Sequence, residues 1–195
     1  MAVAGRVCTG FSKPYVALYD ASNNAITYTS GQILARGVDV NIEPDSADDN
    51  NFHADNQTAE TAAGGFTGGT VTLTVDGLLM AAERLIMGLP AAGEDGFTAY
   101  DDDQEIPYVG IGFISRYMSG GVTSYVPTVL VKTAFNQIPT NAATQEEEID
   151  WQTQELTAAI LRGDDAKHTW KYQGEEYPTE AAAEAKLRTK LGISG

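Results

Sequence analysis

The stretch Thr70–Leu89, TVTLTVDGLLMAAERLIMGL, changes its hydrophobic period partway along, and this change constrains the fold more than any other feature of the chain. Val71, Leu73 and Val75 alternate with Thr70, Thr72 and Thr74, the two-residue period of a half-buried strand. From Leu78 onward, Leu78, Ala82, Leu85 and Ile86 recur at helical spacing, with Glu83 and Arg84 on the opposite side. Asp76 stands where a side-chain oxygen caps a helix start, and Gly88 and Pro90 are residues that end one. The helix needs an apolar surface to lie on, and the chain offers mainly strands. The expected unit is a sheet layer closed by one helix.

A chain of 195 residues that is 43% hydrophobic has room for one domain with a filled core, and its 20 glycines imply many turns. The 27 acidic residues against 12 basic ones leave a net charge of -15, a field that repels nucleic acid and argues against conventional DNA binding. The single cysteine, Cys8, excludes an intrachain disulfide framework and a multi-cysteine metal site, and points to a reducing compartment. No apolar run has the form of a signal peptide or a membrane span, so no membrane anchor is expected and the lone sequon at Asn56 carries little meaning.

Along the chain, Pro14–Tyr19 and the residues around Ile26 and Tyr28 alternate as short strands about an Asn-rich turn. Gln32–Glu43 is expected as one strand that stops at Pro44. Leu34, Val38, Val40 and Ile42 share its dry face, and Asp39, Asn41 and Glu43 share a wet, acidic one. Residues 45–69 then turn polar, rich in Asp, Asn, Ala and Gly, which predicts a long loop that is functional or orders against a partner, with Phe52 and Phe66 as its apolar anchors. Asp45, Asp48, Asp49, His53 and Asp55 crowd together there as cation ligands would, but the glycine and spaced glutamate of a calcium loop are missing, and a solvated acidic loop is the plainer alternative. His53 beside carboxylates has no nucleophile or orienting third group.

Asp101–Asp103 is expected as a solvated tip. Ile106–Met118 and Val122–Phe135 form the longest strand pair, turning at Ser119-Gly120-Gly121, with Gly110 and Gly112 opposite the apolar face of Val109, Ile111 and Phe113. Pro127 implies an edge or a bulge. Gln145–Leu161 is expected as the last long strand. Glu146, Glu148, Asp150, Gln152 and Gln154 lie on one face, which must look into water, opposite Ile149, Trp151 and Thr153. His168, Trp170 and Tyr172 alternate as a short strand, and Thr179–Leu191 is a helix with a narrow stripe of Ala183, Leu187 and Leu191, suited to peripheral docking. No phosphate loop, nucleophile elbow, HExxH or paired-cysteine signature is present, so neither an enzyme nor a cofactor is expected.

Residues 41–78, NIEPDSADDNNFHADNQTAETAAGGFTGGTVTLTVDGL, resemble the phi13-type major tail protein family, the tail-tube subunits of long-tailed phages with non-contractile tails. The likeness lies in the order of an "EP" ending a strand, a polar loop with an aromatic and then "ADN", a following "E", and "GFTGG" feeding a Thr/Val/Leu strand and helix. IPYVGIGFISR and EEEIDWQTQELTA follow the same layout. The resemblance implies a mainly β α+β fold: an antiparallel β-sandwich or partial barrel flanked by one helix, in a single tail-tube domain spanning 1–195. It implies an assembly loop at 45–69 and a peripheral C-terminal segment at 164–195.

By the same resemblance the protein is a structural component of the virion, assembled in the host cytoplasm, whose hexameric rings stack into the tube that conducts DNA during ejection. Its partners would be itself, a tape-measure protein and the terminator and tip proteins, with DNA passing unbound. Asp39, Asn41, Glu43, Glu146, Glu148, Asp150 and Gln152 would face the lumen. Asp48, Asp49, Phe52, His53, Asp55 and Phe66 would belong to the inter-subunit loop. Alternatives are a virion decoration or baseplate binding module, or the tube protein of a contractile injection system.

Overall fold

Alternating β-branched and aromatic residues turn about half of the described chain into antiparallel strand, and two helices cover what the strands leave apolar. The computed structural model describes residues 5–22, 24–54, 57–140, 144 and 151–193. The elements are β1 (Val7–Ser22), β2 (Ala25–Ile33), β3 (Gly37–Ser46), β4 (Asn50–Ala54), β5 (Gln57–Ala62), β6 (Phe66–Val75), α1 (Met80–Met87), β7 (Val109–Ser119), β8 (Val122–Phe135), β9 (Gln154–Leu161), β10 (Lys171–Gln173) and α2 (Glu180–Lys190). The main sheet has the order β2-β1-β7-β8-β9-β6-β3, with β10 also pairing β8, and β4 and β5 form a separate two-stranded ribbon. The fold is therefore mainly β with α.

The sheet curls so that β3 at one end approaches β1 near the other: a β-carbon at Gly37 would collide with the Phe11 ring. The concave face holds one core, built from Val16, Val71, Leu73, Ile111, Leu130, Leu156 and Ile160 among others, and α1 fills it with Ala82, Ile86 and Met87. The convex face of β1, β7 and β8 holds a second core around Tyr15, Ala17, Ile114 and Val129, covered by Ala183, Leu187 and Leu191 of α2. The C-terminal helix is thus no peripheral appendage, since its narrow stripe is buried in full. Burial of two leucines is worth about 4 kcal/mol before ordering costs.

Glycine makes that docking geometrically feasible. Gly110 and Gly112 lie on the convex face, where a β-carbon at Gly112 would sit 2.7 Å from both Leu187 Cδ1 and Leu191 Cδ1, and one at Gly110 would collide with the Tyr28 ring. Tyr28 crosses there to donate its hydroxyl to the Val131 carbonyl at 2.9 Å. Side chains, rather than another backbone, occupy the space the two glycines leave. At the hairpin tip Gly120 and Gly121 take φ of 56° and 83°, the left-handed pair that a two-residue turn demands.

Several expected elements shift for identifiable reasons. Gln32–Glu43 is broken at residues 34–36, because β2 pairs with β1 while β3 pairs with β6. Leu34 is buried at the corner, its amide donating to the Pro14 carbonyl. A register shift between Gly37 and Asp39 turns Val38 outward, to 55% exposure. Pro44 does not end β3, which runs on to Ser46 as an edge strand, where a missing N–H is tolerated. Asp76 does not cap α1, whose N-cap Leu79 has no side-chain cap. Instead it accepts the Arg36 amide and pairs with the Arg36 guanidinium, fastening the β3–β6 ends.

Pro127 lies within the sheet rather than at its edge or in a bulge. Its carbonyl accepts from Gly174, so its N–H-less side faces the gap between β10 and the Tyr125–Tyr177 bridge. Thr179 does cap α2, accepting from the Ala182 amide at 3.3 Å.

Candidate self-assembly surface

The acidic residues of β3 belong to a wider polar wall. Strand register places Asp39 beside Thr74 and Glu155, Asn41 beside Thr72 and Thr157, and Glu43 beside Thr70 and Ala159, in rows that cross β3, β6 and β9. The opposite face of the same strands carries Val40, Leu73 and Leu156, then Ile42, Val71 and Ala158, all packed in the concave core. One apolar and one polar face follow from a period of two carried across three strands. Asp39, Asn41, Glu43 and Glu155 are exposed, and Asn41 Nδ2 donates to Glu43 Oε1 at 2.8 Å. Neither helix covers this wall: α1 fills the concave core and α2 lies on β7 and β8.

The last strand departs from expectation. β9 begins at Gln154, and its buried positions are Leu156, Ala158 and Ile160, so Glu155, Thr157 and Ala159 face water. Even-numbered residues therefore line the core, the reverse of the parity expected for a carboxylate face. Continuing the strand backward in register would drive Glu146, Glu148 and Asp150 into the core, a cost no sheet absorbs. Those three residues lie outside the described ones. Gln152 is exposed but precedes the strand, and Trp151 is 83% exposed instead of covered. Glu155 and Thr157 join the polar face of Thr70, Thr72 and Thr74 through the β6–β9 register, and the alternation of Leu156, Ala158 and Ile160 in the sequence carries the signal for it.

Residues 45–69 are no loop. β3 and β6 stay paired through Asp45 and Gly68, the Ala47 amide donates to the Gly65 carbonyl, Asp49 Oδ1 accepts the Gly64 amide, and β4 and β5 then pair from Asn50 with Ala62 outward. The whole is one long hairpin whose outer part is an arm. Asp48 and Asp49 are exposed at its start, Phe52 and His53 lie on β4, and Asp55 is outside the described residues. Phe66, expected as an apolar anchor of this stretch, fastens the arm to its own domain. Its ring stacks on Trp170 at 4.4 Å and 8°, and its carbonyl accepts from the Arg162 guanidinium. Among the described residues no group of three or more acidic, histidine or cysteine side chains is placed to hold a metal ion.

Behind the arm anchor, Arg162 begins a nine-residue excursion between β9 and β10 that is held by ionic contacts. Lys132 Nζ pairs with Asp164 at 2.8 Å and lies 4.4 Å from the Tyr108 ring centre. The Lys132 hydrogen bond, and next that of Tyr19, hold the Asp164 carboxyl below its ordinary range. Asp165 accepts from both the amide and the hydroxyl of Thr169, and these bonds lower its pKa despite the opposing, and largest, effect of burial. Such groups fix a loop in place. They offer no acid and base facing a common substrate.

No protein-family model matches this chain, and no curated protein is significantly similar to it. Among the described residues no helix is long and apolar enough to cross a membrane.

Proposed function

We propose that this chain is the subunit of a phage tail tube: copies join through their sheet edges into rings, and the rings stack into a hollow pipe that conducts DNA. The observation that carries this reading is the wall of Asp39, Asn41, Glu43, Glu155 and the β6 and β9 threonines, uncovered and bordered by β3, an edge strand. An open edge is a template for another copy of the chain, and edgewise addition extends the wall into a continuous surface. The separate β4–β5 ribbon supports the same reading, because a two-stranded hairpin standing alone is marginally stable in water and gains by lying on a neighbour.

A bore lined by carboxylates and hydroxyls suits its cargo. Basic groups would release counterions from a duplex and hold it, whereas this wall keeps DNA moving. The ring number of six, the tape-measure, terminator and tip partners, and the place in the virion come with the family resemblance. The chain acts as a structural protein and not as an enzyme, and DNA passes without specific recognition.

Negative-stain microscopy of the concentrated protein tests the reading directly. Hollow tubes or rings are expected, whereas a uniform monomer would favour a decoration or baseplate module. Within assembled tubes, Asp39→Lys with Glu43→Lys leaves tube formation intact and slows DNA passage. Unchanged ejection from such tubes would remove β3 from the bore.

A further inference from the structure

The loop between α1 and β7 is acidic and holds one large apolar ring out in solvent. Glu94, Asp95, Asp101, Asp102, Asp103 and Glu105 lie within it, and no basic residue occurs between Arg84 and Arg116. Phe97 is 77% exposed. A closed turn fixes it there: Gly93 donates its amide to the Phe97 carbonyl at 2.8 Å, Gly96 donates to the Gly93 carbonyl with a φ of 82°, and Asp95 Oδ1 accepts the Phe97 amide at 3.1 Å. Because the turn is set in advance, little ordering entropy is lost when the ring is buried. An exposed aromatic ring held this way is suited to anchor an interface by filling a pocket.

A pocket of matching size and charge lies between α2 and β10. It encloses about 160 Å³ and is lined by Val129, Leu187, Tyr172, Tyr177, Lys186 and Lys190, among others. That volume is close to the roughly 150 Å³ that takes up benzene in an apolar cavity, so it suits one phenyl ring and is small for an indole. Phe97 therefore fits better than Trp151, although Trp151 is 83% exposed. Lys186 and Lys190 form no ion pair among the described residues, and Lys190 Nζ lies 3.6 Å from the centre of the Tyr172 ring. From residue 185 onward the chain carries Lys186, Arg188 and Lys190 and no acidic side chain. In a protein of net charge -15, two cations over an apolar floor call for an apolar group that arrives with carboxylates.

Within one molecule the loop stays away from the cleft. Tyr100 donates to Glu83 and Gln104 Nε2 donates to the Met87 carbonyl, which fastens the loop to α1. α1 packs on the side of β7 and β8 that presents Ile111 and Leu130, whereas Val129 and Leu187 floor the cleft on the other side. Loop and cleft are thus fastened to opposite faces of the same two strands, and a Phe97 ring that enters a cleft enters that of another molecule. We infer that the cleft between α2 and β10 receives the 93–103 loop of a second copy, with Phe97 on Val129 and Leu187 and with Lys186 and Lys190 meeting Glu94 and Asp102. Neither carboxylate forms an ion pair among the described residues. The inference deepens, and for its biological purpose rests on, the tube reading: in a ring each copy gives its loop to one neighbour and takes the loop of the other.

The test mixes two full-length variants. Lys186→Glu with Lys190→Glu spoils the cleft and keeps the loop, whereas Phe97→Ala with Glu94→Lys spoils the loop and keeps the cleft. All of these side chains are exposed, and circular dichroism checks that each variant keeps its fold. With the first chain dye-labelled, fluorescence anisotropy is expected to show it binding the second chain, and binding unlabelled copies of itself about a hundredfold more weakly. Adding Phe97→Ala to the labelled chain weakens the mixed complex about thirtyfold, and adding Trp151→Ala instead leaves it unchanged. No binding beyond self-association, or a loss on Trp151→Ala as large as that on Phe97→Ala, overturns the contact.

Assembly supplies the second arm. Lys186→Glu with Lys190→Glu blocks tube growth, and adding Glu94→Lys with Asp102→Lys to the same chain restores it. If wild type forms tubes and the lysine variant forms them equally well, this contact is wrong and the tube reading stands. If wild type never forms tubes but the two variants bind each other, the tube reading is wrong and the contact stands.

Discussion

Two long hairpins of this chain are built alike and finished differently. β7–β8 is buried on both faces over residues 109–114 and 126–131, with α1 and the concave core on one side and α2 on the other, and its turn is the tight Gly120-Gly121 pair. β3–β6 is buried on one face only, carries the polar wall on the other, and continues past its core contacts into the β4–β5 arm. The difference separates a hairpin whose surface is used by its own fold from one that, on the proposed tube reading, leaves surface for another copy. A strand covered on both faces has spent its surface on its own fold. A strand with one wet face, a free edge and an uncovered extension leaves surface that its own fold does not use, and it is held at both ends of the ladder, by Phe66 and Arg162 where the arm begins and by the Arg36–Asp76 pair at the other.

The sharpest way to break this comparison is to remove the arm. Deleting residues 50–62 and joining Asp49 to Ala63 leaves the melting temperature within a few degrees of wild type and abolishes polymerisation, read by light scattering and microscopy. A deletion variant that assembles normally would return the arm to the status of ornament. On the other hairpin, Gly112→Val places side-chain atoms where Leu187 and Leu191 already sit. It costs about 3 kcal/mol in urea denaturation and exposes the tyrosines of the convex face to solvent, read by fluorescence. A loss under about 1 kcal/mol would mean that α2 is not held by that notch.

Phe66→Ala falls between these two, since it removes a half-buried ring and its stack on Trp170. The expected loss is about 2 kcal/mol, with faster amide exchange in the arm than in β7–β8.

The smallest effect concerns pH. Glu184 of α2 accepts from Tyr15 Oη at 2.6 Å and pairs with Lys13 Nζ at 3.2 Å. The Tyr15 hydrogen bond is the main cause of the lowered Glu184 pKa, burial working against it and Lys13 adding to it. Tyr15, through burial first and Glu184 next, is pushed up to about 12. A carboxyl whose folded pKa lies below its ordinary 4.5 contributes stability that is complete above that value and is lost as pH falls through the depressed one. Wild type should therefore lose about 1 kcal/mol more than Glu184→Gln between neutral pH and pH ~3, in parallel urea titrations. Identical slopes would show that the ion cluster does not hold α2.

Much of the sheet was legible from alternation alone. The residues of β8, the left-handed turn before it, the apolar rows of β6 and the stripe Ala183–Leu187–Leu191 all follow from period and turn chemistry that act within a few residues. So does the wet face of Asp39, Asn41 and Glu43. The arm was missed because its strands lack the large apolar residues that mark a buried face, and its order comes from backbone pairing that composition does not reveal. The parity of β9 was missed because the carboxylates before Gln154 also alternate, and only pairing with β6 decides where the strand begins.

The sequence by itself determined both helices, most strands of the main sheet and the dry faces of β6 and β7, because each of those choices is made by neighbours along the chain. Only the tertiary structure decided that the dry faces close into two cores, that Gly112 makes room for a helix arriving from the far end of the chain, and that Asp76 fastens a corner rather than capping a helix. Those outcomes depend on register and on contacts between residues far apart in sequence, which local periodicity does not encode.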